Sequence, residues 1–314
     1  MSLLWNVIRS FRFRRTAPFS DPESYLRPDN PRLVDLERRY AGLRVPMADS
    51  SQWTKQYVAA EVDLRRFRGE LAYVWQRRDG NDDSSFRLTE EYVASFDRLG
   101  LRERLTEDSA FGVTALTVDG RTLTRDLLDS IVEIGFLDRH LGISRRRLRV
   151  LDIGAGYGRL AHRLVQAFPG MVDVFCVDGV AVSTFLSEFY LRYRGASPQA
   201  TVVQLDEIEE VLSRNPVDVA INIHSFSECP MSAVEGWLDL VARHRIPRLM
   251  VVPNAIDNGG TRPLSFEADG TWRDLMPLFR AKGFKLMTTE PKYLDAAVQA
   301  RGVSPTHHFL FALA

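Results

Sequence analysis

Apolar positions in this chain follow two different rhythms, and the change between them falls near residue 145. From Leu148 to Ile153 an apolar run reads as a buried strand. Arg159 to Phe168 then carries apolar residues at Leu160, Leu164, Val165 and Phe168, the spacing of an amphipathic helix. Further strands are predicted at Val172 to Val177, Thr201 to Leu205, Val217 to Ile223, Arg248 to Val252, Phe284 to Thr288 and His308 to Leu313. Helical spacing fills Val180 to Arg194, Pro230 to Arg243 and Thr271 to Lys282. Strands alternating with helices predict an α/β fold, a doubly wound sheet of seven strands.

Residues 1–145 read instead as a mainly helical region. Asn30 followed by Pro31 is a capping pair, and it predicts a helix over Pro31 to Ala41. A long helical pattern, rich in aromatics, runs from about Gln52 to Arg78, and the polar GNDDSS loop (80–85) follows it. Thr89 starts another helix that ends near Gly100. Asp119-Gly120, flanked by alternating residues, predicts a hairpin, and Thr124 caps a helix that Gly142 ends. Leu3 to Arg15 mixes apolar residues with arginines, as in a helix packed on its own or a partner subunit. Homo-oligomer contacts are expected through these N-terminal helices. The expected division is 1–145 as a substrate or cap region and 146–314 as the sheet domain.

Composition narrows the classes of function. Apolar residues make up 45% of the chain, enough for a substantial core, and the formal net charge is zero. No global basic field points to a nucleic-acid partner. Two cysteines, Cys176 and Cys229, are too few for a disulfide framework and fit a reducing cytosol, so a cytoplasmic location is expected. No apolar run approaches the roughly 18 residues of a membrane span.

The candidate chemistry begins at the turn after the first strand, Gly154-Ala155-Gly156-Tyr157-Gly158. Strand, glycine turn and helix together open a nucleotide-binding unit. The dinucleotide fingerprint needs glycine or alanine five positions after the first glycine, and Arg159 stands there. The spacing is instead G-x-G-x-G, with Asp152 two residues ahead of it. This resembles motif I of the class I S-adenosylmethionine-dependent methyltransferases, a Rossmann-like family. The resemblance covers about residues 146–314 and implies a last strand inserted antiparallel between the fifth and sixth. It implies S-adenosylmethionine as cofactor, with Asp152 and the loop Gly154, Ala155, Gly156, Tyr157 and Gly158 holding the methionine portion. Asp178, with Gly179 beside it, is implied to take the ribose hydroxyls. Asp206 after the third strand is a candidate for the adenine, and Asn222 at the end of the fourth strand is a further cofactor candidate.

After the fourth strand the chain reads NIHSFSECP, from Asn222 to Pro230. It lacks the Asn-Pro-Pro-Tyr type of motif that amino-methylating enzymes show there. Its Cys229-Pro230 order is the reverse of the cytosine-methylating enzymes, so Cys229 is not expected to be a nucleophile. An alcohol acceptor needs a base at this position, since its hydroxyl does not ionise at neutral pH. Histidine, with an ordinary pKa of about 6.5, suits that role. His224 is the candidate base, and Glu228 is a candidate to orient its imidazole or to bind a substrate hydroxyl.

The NIHSFSE segment, Glu107 to Gly112 and Thr124 to Ile143 are together similar to a narrower group, the sugar O-methyltransferases of the nanchangmycin type. That resemblance implies a carbohydrate acceptor, such as a methylated mannose polysaccharide or a natural-product sugar, and a helical acceptor-side cap. In the cap, Tyr73 and Trp75 can present flat faces to a sugar ring, and Gln76 can bond its hydroxyls. No set of side chains has clear metal-ligand spacing, and Asp257 after the fifth strand leaves a Mg²⁺ requirement open. Two rival readings remain: methylation of a phenol, carboxylate or amine, and a non-catalytic binding module that keeps the fold.

Overall fold

The computed structural model describes residues 21–70, 72–77, 81–255 and 259–314. The segment Leu3 to Arg15 and Asp257 lie outside the described residues. Seven strands form the central sheet: β1 (Leu148–Ile153), β2 (Val172–Val177), β3 (Ala200–Val202), β4 (Val219–Ile223), β5 (Arg248–Val252), β6 (Phe284–Pro291) and β7 (His307–Leu313). Their order across the sheet is β3-β2-β1-β4-β5-β7-β6. The first five run parallel, and β7 lies antiparallel between β5 and β6. This is the topology that the resemblance to class I methyltransferases implies.

Parallel strands covered by helices on both faces must be apolar on both faces. On one face Val150, Val174 and Ile221 share a core with Leu127, Ile131, Leu160 and Leu164. On the other, Leu151, Ile153, Val177 and Val251 pack with Phe185, Phe189, Val234 and Leu238. Among the described residues the α-helices of six or more residues are α1 (Pro31–Ala41), α2 (Lys55–Glu61), α3 (Asp83–Phe96), α4 (Arg125–Leu141), α5 (Arg159–Ala167), α6 (Ala181–Tyr193), α7 (Ile208–Arg214), α8 (Met231–Arg243), α9 (Met276–Ala281) and α10 (Ala296–Arg301). Phe86 and Val93 of α3 lie in the same core as Val150 of β1, so the N-terminal helices and the sheet share a core there.

The local signals held where a cap or turn residue sets the boundary. Asn30 accepts from Arg32 N–H at the start of α1, and Thr124 from Leu127 N–H at the start of α4. Leu116–Val118 and Arg121–Leu123 pair antiparallel across Asp119-Gly120, and both turn residues have positive φ.

Three expected helices differ from what the chain forms. The long helix over Gln52 to Arg78 stops at Glu61. Asp63 accepts from the N–H groups of Arg65 and Arg66, and the chain then turns inward to bury Phe67, Arg68 and Gln76. One straight helix cannot bring those three side chains to the same interior. α3 begins ahead of Thr89, inside the expected polar loop, because Asp82 caps it through Ser85 N–H at 2.8 Å. Within Thr271 to Lys282, Trp272–Asp274 is a strand paired with Leu264–Phe266, and only α9 is helical.

Candidate active site

Strand register decides which residues meet. Ile153 at the end of β1 is opposite Val177 of β2 on one side and Asn222 of β4 on the other. The glycine turn, Asp178-Gly179 and His224 therefore emerge side by side beyond the carboxyl ends of the strands, where open α/β sheets bind ligands.

The turn is anchored to β2 by Gly154 N–H and Ala155 N–H, which donate to the Val177 carbonyl at 2.8 and 3.2 Å. Gly154 has φ 67°, and a Cβ there would overlap Ser225 Oγ. Gly158 answers a different need. A Cβ on it would press on Leu191 and Ser187 at 3.0 Å, so it lets α5 close on α6 and does not line the cavity.

A cavity of about 100 Å³ is lined by Asp152, Gly154, Ala155, Gly156, Tyr157, Asp178, Gly179 and His224. Asp178 accepts from Gly156 N–H and Val180 N–H, both at 2.9 Å, which aims its carboxylate along the turn. Burial, reinforced by the Glu228 charge, pushes its pKa up to about 7 against the opposing pull of those two amides. Asp152 is 4% exposed, and burial raises it to about 7 as well. Among the described residues its carboxylate has no hydrogen-bond partner. Burial disfavours its charged form despite the nearby Arg159 charge, and a cationic ligand offsets that cost. These residues fit a ligand carrying a positive group beside hydroxyls.

His224 has φ 67° at the start of the turn after β4, and its N–H donates to the Val252 carbonyl at 2.7 Å. Its half-buried ring walls the first cavity and also a second one, of about 440 Å³, lined by Gln52, Tyr73, Trp75, Arg125, Asn254 and Ser304 among others. Desolvation, with the Arg125 charge next, lowers the imidazole pKa to about 3, so the ring is neutral across the physiological range. Tyr73 and Glu228 also face both cavities.

Glu228 does not bond His224. Its carboxylate accepts from Trp53 Nε1 at 2.6 Å and from Asn254 Nδ2 at 3.2 Å, so it does not orient the imidazole. Burial raises its pKa. Cys229 lines the first cavity, and burial pushes its thiol well up, which keeps it protonated and not nucleophilic.

Three expected contacts fall elsewhere. Gln76 is fully buried; its amide donates to Asp126 at 2.9 Å and accepts from Arg125 N–H at 2.7 Å, and it lines neither cavity. Asn222 is also fully buried, and it braces the turn after β4 through Ile153 O, Ser225 Oγ and Phe226 N. Asp206 is exposed and paired with Arg39 at 2.6 Å. The neighbouring Leu205 N–H donates to Tyr40 Oη at 3.1 Å, so α1 covers that corner. Tyr73 and Trp75 do reach the second cavity, with the Tyr73 hydroxyl 3.1 Å from Ser183 Oγ. Gln52, Asn254 and Ser304 had no sequence signal, because each stands alone in an irregular segment.

No protein-family model and no curated protein matches the chain. Solved structures resemble it at low identity. A SAM-dependent methyltransferase from Aquifex aeolicus is 13% identical with a TM-score of 0.41, over 59% of this chain and 98% of that one. Magnesium protoporphyrin IX methyltransferase from Synechocystis PCC 6803, with bound SAH, is 14% identical with a TM-score of 0.41, over 72% and 100%. The cyclase SpnF is 17% identical with a TM-score of 0.41, over 73% and 95%. Likenesses this distant carry no functional weight, and the chemistry rests on the site's own residues. Among the described residues no helix is long and apolar enough to cross a membrane.

Proposed function

We propose that this chain is an S-adenosylmethionine-dependent O-methyltransferase acting on a sugar hydroxyl in the cytoplasm, with His224 as the base. One observation carries the reading: a single imidazole walls both the glycine-loop cavity and the larger cavity behind it. A group so placed can act on an acceptor while a donor occupies the loop.

The cofactor supplies an electrophilic methyl group on a sulfonium. The chain supplies position and a proton acceptor. Asp152 offers its unpaired carboxylate to a cationic group, and Asp178 offers oxygens to hydroxyls. Tyr73 and Trp53, with ring centroids 4.8 Å apart, keep water from the loop. The neutral His224 ring takes the proton from the acceptor oxygen. Its low pKa is enough for this, because an alcohol oxygen becomes strongly acidic as it gains a methyl group. In the acceptor cavity the Tyr73 and Trp75 rings suit the apolar face of a sugar, and Gln52, Asn254 and Ser304 suit its hydroxyl rim.

The test is an acceptor panel incubated with isotope-labelled S-adenosylmethionine and read by mass spectrometry. Label is expected on an ether oxygen of a carbohydrate. His224→Ala is expected to keep its affinity for S-adenosylhomocysteine while kcat falls about 10²-fold or more. Full activity in that variant would remove His224 from the base role, and label only on an amine or carboxylate would replace the sugar.

A further inference from the structure

Residues 46–53 cross the mouth of the glycine-loop cavity as a single turn, Pro46–Ala48, followed by an irregular strap. The Met47 carbonyl lies so close to Gly179 that a Cβ on that glycine would overlap it. On α8, a Cβ at Gly236 would stand 3.0 Å from Met47 Cγ and 3.4 Å from Pro46 Cβ. Beyond the turn, Glu228 holds the strap. Ser51 N–H, Gln52 N–H and the Ser50 hydroxyl all donate to its carbonyl at 3.2 Å. The Trp53 indole donates to its carboxylate at 2.6 Å.

The strap divides two spaces. The cavity beneath it, of about 100 Å³, is well below the roughly 300–1,000 Å³ of pockets that hold drug-sized ligands. Outside it lies a groove of about 680 Å³ between α1, α2 and the start of α6. Ala48, Trp53, Gly179 and Val180 line both. Lifting the strap joins them into one space of the required size.

We propose that residues 46–53 form a lid that lifts to admit the nucleoside end of the donor and relatches on Glu228. This rests on the donor reading given above. Glu228 and Gln52 also wall the acceptor cavity, so the closed lid completes that wall, and the donor enters before the acceptor.

The test follows S-adenosylhomocysteine binding to the full chain by stopped-flow fluorescence, with amide exchange of the peptide carrying Ser51 and Gln52 measured alongside. In the wild type the observed association rate is expected to level off with ligand concentration, at the rate of lid opening. Gly236→Leu wedges beneath Met47 from a helix that accepts leucine. Trp53→Phe removes the indole donor and serves as well if the first variant does not fold. Each is expected to raise the plateau and the dissociation rate about tenfold, and to speed exchange at residues 51–52 without ligand. Association linear in concentration and equal in all three proteins would overturn the lid and leave the donor site standing. No binding to any of them would overturn the donor reading and the lid together.

Discussion

Tyr157, within the glycine turn, donates its hydroxyl to the Asp126 carboxylate of α4. The same carboxylate accepts from Gln76 Nε2 at 2.9 Å and Arg68 Nε at 3.1 Å, all in the interior. One buried anion thus joins the glycine turn to two points of the N-terminal region. Its neighbours extend the link along α4. Asp129 pairs with Arg125 and Lys292, and Glu133 with Arg159, the first residue of α5.

Asp126→Asn removes one of two buried anions beside Arg68, which keeps Glu107 at 2.8 Å. The expected loss is about 1.5–3 kcal/mol, read from urea unfolding. Tyr157→Phe removes a single charge-assisted hydrogen bond and is expected to cost about 1.5–3 kcal/mol. Equal stability of Asp126→Asn and wild type would contradict the role assigned to the cluster.

Gly154→Ala is expected to abolish S-adenosylhomocysteine binding in calorimetry, because the methyl group collides with Ser225 Oγ at a backbone φ of 67°. Gly170→Ala is the control. It shares a positive φ of 76° but meets open space, so it is expected to cost about 1–2 kcal/mol of stability and to bind normally.

Donor binding is expected to release protons. Burial pushes Asp152 and Asp178 up to about 7, above their ordinary 3.8. Their folded pKa values are raised, so the stability they contribute is complete below about 3.8 and is lost as pH climbs through about 7. A cationic donor favours the ionised forms, so affinity should rise from about pH 5 to 8. Calorimetry in buffers of different ionisation heat measures the protons released, and Asp152→Asn should flatten the profile. An affinity independent of pH would refute the linkage.

His308 is 1% exposed, and neither of its ring nitrogens has a partner. Burial, with the Lys292 charge next, holds its pKa at about 3, below the ordinary 6.5. The unfolded chain therefore takes up the proton first, and stability is lost as pH falls below about 6.5, at about 1.4 kcal/mol per pH unit. His308→Phe should shrink the drop between pH 6.5 and 5 by about 2 kcal/mol in denaturant unfolding. Asp152 and Asp178 act in the opposite direction over the same window, so the difference between variant and wild type is the quantity to compare. An unchanged drop would mean that His308 is already charged in the folded protein.

Signals that act within a few residues were legible in the sequence: the apolar runs of the strands, the Asn30 and Thr124 caps, the Asp119-Gly120 hairpin and the glycine turn beside Asp152. Each is set by backbone sterics or by burial of the chain's own neighbours, and neither needs a distant partner. Only the tertiary structure decided that Gln76 serves Asp126, that Asp206 serves Arg39 and that Glu228 holds Trp53 instead of His224. A polar side chain bonds whatever the fold brings to it, and here those partners come from helices and loops far away in the chain.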